Sequence, residues 1–169
     1  MAQFDNLHCP ISEVRKTRLE VNLQEVHCEG VTGGSNVKKV TAIIGSARKR
    51  STHNAVLQFL KNLQSLGDVE YEIVALRDFR LDMCRGCRRC FDKGEEYCPL
   101  KDDRDVLIEK LMASDGVVFA SPNYSFQVSA IMKAFLDRLG FVFHRPRFFG
   151  KTFTSIVVQG IYGGTKIVK

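Results

Sequence analysis

Four cysteines lie within fifteen residues of this chain, in the pattern Cys-x2-Cys-x2-Cys-x7-Cys at Cys84, Cys87, Cys90 and Cys98. Three thiols spaced in this way, with a fourth shortly after them, can converge on one centre. Loops of this kind wrap an iron–sulfur cluster or, less often, a zinc ion. The pattern therefore predicts metal or cluster binding, and redox-active thiols or a chance grouping are the alternatives.

Structural disulfides are the competing explanation for clustered cysteines. The residues from Met1 to Asn6 contain neither a basic region nor an apolar segment, so they predict no secretory signal. No apolar stretch approaches the length of a membrane span. We therefore expect a cytoplasmic protein with reduced thiols and no membrane partner. Cys9 and Cys28 each neighbour a histidine, but we interpret them as isolated cysteines rather than as a second metal site.

The net charge of +6 raises the possibility of a nucleic-acid partner. The basic residues form small groups, such as those at 48–50 and 85–89, and no long basic run or aromatic–basic alternation occurs. Both groups lie in segments that we interpret as sites for anionic cofactors. A bound phosphate and a tetrathiolate cluster would offset much of the charge, so we expect no nucleic-acid partner.

The elements that must position these residues follow from the hydrophobic pattern. Apolar runs at 40–44, 71–76, 116–120 and 153–158 predict buried strands, and the apolar spacing from Val128 to Leu139 predicts an amphipathic helix. Alternating strands and helices predict an α/β fold, a doubly wound parallel sheet in three layers. We expect this domain over residues 37–169, after an extension and linker at 1–36. The chain ends soon after the fourth strand, so we expect a sheet truncated at its carboxyl end.

Three polar loops leave the predicted carboxyl ends of the strands, where such sheets bind ligands. The first, Gly45 to Asn54, precedes a helix and offers hydroxyl groups and Arg48, which suit a phosphate. It lacks the dinucleotide and P-loop signatures, so a single terminal phosphate, as in FMN, is the better match, and an ordinary helix N-cap in a basic loop is the alternative. The second, Ser121 to Ser129, presents Tyr124 and Phe126, which either bind a flat ring or close the core. The third runs from Gly160 to Thr165.

Together these segments resemble a known family. Gly-Ser-Ala-Arg-Lys-x-Ser at 45–51, Ser-Pro-Asn-Tyr at 121–124 and Lys-Ala-Phe-Leu-Asp-Arg at 133–138 resemble the NADPH-dependent FMN reductases, which are flavodoxin-like proteins. Cys-Arg-Gly-Cys-Arg-Arg-Cys at 84–90, with Cys-Pro-Leu-Lys-Asp-Asp at 98–103, is similar to the iron–sulfur flavoprotein branch of that family.

The resemblance implies an FMN-dependent oxidoreductase with a 4Fe-4S cluster and FMN as cofactors. Its partners would be an electron-donor protein such as a ferredoxin, or NAD(P)H, together with a small-molecule acceptor, in a homodimer or homotetramer. Flavin would carry the chemistry without a catalytic side chain. Carried over by position, the cluster ligands would be Cys84, Cys87, Cys90 and Cys98. The FMN-binding residues would be Ser46, Arg48, Ser51, Thr52, Asn54, Pro122, Asn123, Tyr124, Ser125, Phe126, Gly163 and Gly164.

Three functions remain open at this point. The first is electron transfer between a cluster, FMN and a redox partner. The second is an NAD(P)H-dependent FMN or quinone reductase without a cluster. The third is a zinc-binding interaction module, although zinc modules usually keep two Cys-x2-Cys pairs well apart, and it would leave two flavin-type loops unused.

Overall fold

The structure, a computed structural model, describes residues 37–160 and contains one parallel sheet of four strands in the order β2-β1-β3-β4 within that range. The order agrees with the doubly wound, flavodoxin-like prediction. The strands are β1 (Lys38–Ile44), β2 (Val69–Ala75), β3 (Gly116–Pro122) and β4 (Thr152–Val158).

Four α-helices connect or follow these strands in the described range, together with short 3-10 turns such as Leu76–Asp78 directly after β2. The helices are α1 (Ser51–Gln64), α2 (Arg89–Asp92), α3 (Arg104–Met112) and α4 (Ala130–Arg138). None of the helices in residues 37–160 is both long and apolar enough to cross a membrane.

Alternate residues of the strands face two separate apolar cores, which gives the predicted three layers. Ile43 and Val117 pack with α3 and α4 on one face of the sheet. Ala42, Ile44 and Val118 pack with α1 on the other face. Successive side chains of a strand point to opposite faces, so each apolar run can be buried on both sides.

The register of the sheet brings three loops to one edge. Ile44 at the end of β1 is level with Ala75 of β2 and with Ala120 of β3. The loop after β1 (residues 45–50, named the phosphate loop after its predicted ligand), the segment after β2 that contains the four cysteines (residues 84–98, the cysteine segment) and the loop after β3 therefore all follow the carboxyl edge of the sheet.

The sequence predictions of the elements need small corrections. β2 begins earlier than predicted, and Leu76 belongs to a 3-10 turn rather than to the strand. β3 runs on through Pro122, because Pro122 pairs with Val158 of β4. The amphipathic helix begins at Ala130, since Ser129 caps it. Residues 1–36, with Cys9 and Cys28, lie outside the described residues.

Candidate functional site

The phosphate loop is held in shape by its own serine. Ser46 is buried, and its hydroxyl donates to the carbonyl of Arg48 at 3.0 Å and accepts the N–H of Arg48 at 3.3 Å. This local bonding turns the chain between β1 and α1 and leaves the side chain of Arg48 exposed. Arg77, after β2, donates to the carbonyl of Ala47 at 3.1 Å and ties the loop to the neighbouring segment.

The start of α1 can accept an anion. Among the described residues no side chain caps this helix, and its first turn contains no acidic residue. Unpaired N–H groups and the positive end of the helix dipole favour a phosphate at such a position. Ser51 and the buried Thr52 add hydroxyl groups in the first turn, while Asn54 lies exposed with its N–H bonded to Arg50.

The loop after β3 ends in a strained turn. Tyr124 and Gln127 exchange two backbone hydrogen bonds of 2.9 and 3.0 Å. The two residues between them, Ser125 and Phe126, have φ angles of 51° and 62°. Non-glycine residues pay about 1–2 kcal/mol each for this left-handed conformation, and such strain concentrates at binding sites. The turn holds the aromatic side chains of Tyr124 and Phe126 at the surface, exposed by 47% and 61%.

Asn123 places a polar atom beside this turn. Its N–H donates to the carbonyl of Val158 at 2.8 Å, and its side-chain amide donates to Gln159 at 3.2 Å. The side-chain oxygen of Asn123 is buried and has no hydrogen-bond partner in the described part of the chain. A buried acceptor of this kind is costly unless a ligand or water satisfies it.

Ser129 joins the two loops, although the sequence analysis did not single it out. Its hydroxyl donates to the carbonyl of Gly45 and accepts the N–H of Met132 at 3.2 Å, which caps α4. Its own N–H donates to Ser121 at 2.9 Å. A Cβ atom on Gly45 would lie 2.5 Å from Cβ of Met132, so only glycine permits this approach. The sequence signal was a serine directly before an amphipathic helix.

The four cysteines lie around one cavity. All four thiols are free, with Cys84 and Cys87 exposed and Cys90 and Cys98 partly buried. Burial raises the pKa of Cys90, a backbone hydrogen bond at Cys90 opposes that effect, and the charges of the other three thiols raise the pKa further. Because all four line the same cavity, the structure brings the predicted ligands into one neighbourhood.

The thiols are not gathered around a single ion. Within residues 37–160, no group of three or more His, Cys, Asp or Glu side chains is placed to hold one metal ion. The four thiols that line the cavity are nevertheless donors of the type that hold an iron–sulfur cluster or a zinc ion.

A buried ion pair supports the cysteine segment. The guanidinium of Arg138, at the end of α4, donates to both carboxylate oxygens of Asp102 at 2.5 and 2.9 Å. These side chains are only 2% and 1% exposed. Burial raises the pKa of Asp102, but hydrogen bonds from Arg138 and from the N–H groups of Asp82 and Arg104, with the charge of Arg138, hold it below its usual value.

A second set of contacts anchors the same segment. Asp103 exchanges hydrogen bonds with the backbone of Arg80 at 2.7 and 3.0 Å. The guanidinium of Arg104, 3% exposed, lines the cysteine cavity and donates to the carbonyl of Glu95 at 2.9 Å. Glu95 in turn pairs with Arg147. In the sequence, Asp102, Asp103 and Arg138 stand out only as parts of family motifs, and no pattern in the sequence indicates these structural roles.

The two groups of predicted site residues lie at opposite ends of α4. Ser129 contacts the phosphate loop at its amino end, and Arg138 lines the cysteine cavity at its carboxyl end. Nine residues at 1.5 Å each separate them by about 14 Å along the helix. Gly163 and Gly164, the remaining predicted site residues, lie outside the described residues.

Comparison with known proteins identifies relatives of this chain. Residues 38–169 match the NADPH-dependent FMN reductase family. An iron-sulfur flavoprotein of Archaeoglobus fulgidus is 40% identical over 126 residues, which cover 74% of this chain and 56% of that protein. An iron-sulfur flavoprotein of Methanocaldococcus jannaschii is 34% identical over 100 residues, or 59% of this chain and 51% of that protein. The chain thus spans about half the length of the curated relatives it matches.

A solved structure supports the fold independently. RosB, crystallised with 8-demethyl-8-formylriboflavin-5'-phosphate, superposes with a TM-score of 0.63 at 15% identity over 78% of this chain and 56% of that one. At that identity the likeness shows the fold alone. The family match covers most of the chain, and the predicted motifs lie inside it. The chain therefore belongs to the NADPH-dependent FMN reductase family, and its sequence is similar to the iron–sulfur flavoproteins of that family.

Proposed function

We propose that this protein is an FMN-dependent oxidoreductase that transfers electrons between a 4Fe-4S cluster, FMN and a redox partner. The observation that carries the proposal is the presence, in one domain, of four thiols around a single cavity together with an uncapped helix start and a strained aromatic turn that follow the neighbouring strands β1 and β3. Flavin supplies the redox chemistry in such proteins, and the protein supplies binding, orientation and electrostatics.

Residues of the two loops account for the flavin part of the proposal. Ser46, Arg48, Ser51, Thr52 and Asn54 would surround the phosphate, where the helix start favours an anion. Pro122, Asn123, Tyr124, Ser125 and Phe126 would contact the ring, with Gly163 and Gly164 near its edge. The buried oxygen of Asn123 supports a polar ligand at this place, because it has no partner within residues 37–160.

The cysteine segment accounts for the cluster part. Cys84, Cys87, Cys90 and Cys98 would be the ligands, and the exposed Arg85, Arg88 and Arg89 beside them would offset the cluster's negative charge. The donor would be a ferredoxin-like protein or NAD(P)H, the acceptor a small molecule, and the assembly a homodimer or homotetramer. The names of the iron–sulfur flavoprotein relatives support the cluster.

A reductase without a cluster is the second candidate. It is favoured by one observation, that no three metal-binding side chains in the described residues surround a single ion. In that case FMN would take hydride from NAD(P)H and reduce a small acceptor, and the cysteines would have no redox role.

Analysis of anaerobically purified protein distinguishes the two functions. We expect one FMN and about four iron and four sulfide per chain, with a cluster absorption beneath the flavin bands. The Cys87→Ala variant should keep FMN and lose iron, whereas the matched Cys28→Ala variant should keep both. Iron retained by Cys87→Ala at the wild-type ratio would contradict the cluster ligands. Rapid reduction of FMN by NADPH in iron-free protein would favour the second function, and a colourless, zinc-bearing protein would contradict both.

A further inference from the structure

One buried side chain bonds directly to a predicted cluster ligand. Nη2 of Arg138 lies 3.7 Å from Sγ of Cys98 and donates to it, while Nη1 donates to the carbonyl of Asp82 at 2.9 Å. The remaining bonds of the guanidinium go to Asp102. A guanidinium is planar and holds its five N–H donors in a rigid fork. The hydrogen bonds to Asp82 and Asp102 therefore fix the direction of the donor that points to Sγ of Cys98.

Burial of Arg138 strengthens the electrostatic effect of its contact with Cys98. The side chain of Arg138 is 2% exposed, so water screens its field far less than that of the exposed arginines at 85, 88 and 89. Hydrogen bonds to a thiolate sulfur are one of the means by which a protein sets the reduction potential of an iron–sulfur centre. Cys98 is also the ligand separated from the other three by the longest spacer, so it has the greatest need of an external support.

A second arginine provides an internal comparison. Arg104 lines the same cavity and is 3% exposed, but its guanidinium bonds to Asp105 and to the carbonyl of Glu95 and stacks over Phe141. None of its hydrogen bonds in the described residues reaches a cysteine. The two residues therefore share burial, charge and cavity, and they differ in the contact with sulfur.

We propose that Arg138, fixed by Asp102, is a positioning residue for Cys98: it holds the Cys98 thiolate towards the cavity and stabilises the additional negative charge when the bound centre is reduced. The inference rests on the proposed function, because it assumes that the four cysteines hold a metal centre. It also connects the two proposed sites, since Ser129 caps α4 at the loops proposed to bind FMN and Arg138 ends α4 at the cysteines.

The first test measures metal affinity with Co²⁺ as the probe. FMN-loaded, metal-free protein is titrated with Co²⁺, and thiolate–cobalt absorption reports binding. We expect Arg138→Gln to weaken the affinity 10- to 100-fold, the usual effect of losing a partner that orients a ligand. Arg104→Gln removes contacts to Asp105 and Glu95 but none to sulfur, so it should weaken the affinity less than Arg138→Gln does. Arg138→Lys should restore it only in part, because an ammonium lacks the fork that reaches Asp102 and Cys98 together.

A double-mutant cycle shows whether Arg138 acts through Cys98. In a Cys98→Ala background, Arg138→Gln should have no further effect on Co²⁺ affinity. An equal loss in both backgrounds would overturn the inference, as would equal losses for Arg138→Gln and Arg104→Gln. If Arg138→Gln does not fold, the double variant Asp102→Asn with Arg138→Gln carries the same test, since it leaves no unpaired buried charge.

The second test measures the potential of the iron-reconstituted centre, with the electron supplied by an electrode. A tenfold loss of preference for the reduced state lowers the potential by about 59 mV. We expect a decrease of this order for Arg138→Gln but not for Arg104→Gln. Wild-type protein that takes up Co²⁺ but no iron would refute the proposed electron transfer while the cobalt data still decide the role of Arg138. Failure of the cysteines to bind either metal would overturn both.

Discussion

The buried ion pair between Asp102 and Arg138 gives the sharpest test of how the cysteine segment is stabilised. In Asp102→Asn the side chain keeps its volume, but one carboxylate oxygen becomes an amide that must face the guanidinium. That carboxylate accepts two bonds from Arg138 and two from backbone N–H groups, at 2.8 Å from Asp82 and 3.3 Å from Arg104. The variant would therefore leave Arg138 buried without a countercharge.

The expected cost is about 3–5 kcal/mol, the usual penalty for removing one partner of a buried pair. This is a large part of the 5–15 kcal/mol that typically separates folded from unfolded domains. Urea denaturation at neutral pH measures this difference in unfolding free energy between the wild type and Asp102→Asn. The flavin and metal contents of the two proteins must be equal, because bound ligands add their own stabilisation. The matched control is Asp78→Asn, which breaks the exposed pair with Arg77 and should cost less than about 1 kcal/mol.

The same pair predicts a pH dependence. The pKa of Asp102 is lower in the folded protein than the value of about 3.9 expected in the unfolded chain. The unfolded state therefore binds the proton more readily, so the stabilisation is complete only above about pH 5 and is lost as pH falls through the folded-state pKa. The difference in unfolding free energy between the wild type and Asp102→Asn should be constant from pH 6 to 8 and narrow below pH 4. A cost below about 1 kcal/mol at neutral pH, or a difference that grows in acid, would refute the reasoning.

Three further predictions concern the two loops that we propose to bind FMN. Gly45→Ala should destabilise the protein by about 1–3 kcal/mol in urea denaturation, because the new Cβ would lie 2.5 Å from Cβ of Met132; Gly67→Ala, which meets no atom within 4 Å, should be neutral or slightly stabilising, and equal costs would contradict the packing argument. Arg48→Gln should weaken FMN binding in fluorescence titrations by about 1.5–3 kcal/mol, the worth of a hydrogen bond to a charged group. Riboflavin, which lacks the phosphate, should bind the wild type and Arg48→Gln equally. If the variant lost as much affinity for riboflavin as for FMN, Arg48 would not act through the phosphate. Ser129→Ala should cost about 0.5–2 kcal/mol through the lost cap of α4 and should also weaken FMN binding, so a normal FMN affinity would argue against the link between the loops.

The sequence was sufficient for the fold because its signals are local and repeat along the chain. Each apolar run became a parallel strand, since a strand covered on both faces needs apolar residues at successive positions. The errors lie at element ends, where Ser129 caps a helix that the apolar pattern began at Val128 and Pro122 extends a strand that it was expected to stop. Such ends depend on individual hydrogen bonds rather than on periodicity.

In the candidate site, too, local features could be predicted from the sequence and contacts between distant residues could not. The spacing of Cys84, Cys87, Cys90 and Cys98 by itself predicted that the thiols share one neighbourhood, because a short loop keeps them close whatever surrounds it. The partners that fix this loop could not be inferred in the same way. Asp102 and Arg138 are 36 residues apart, and only the tertiary structure brings their side chains together.

The sequence thus determined the chemical groups and the architecture that carries them, since residue types, short spacings and hydrophobic periods act over a few residues. The tertiary structure alone decided how those groups are held. It brought Ser129 to the carbonyl of Gly45, 84 positions away, and Arg138 to the sulfur of Cys98, 40 positions away. Contacts over such separations form only when the sheet and its helices are packed, because the unfolded chain has no means of bringing these residues together.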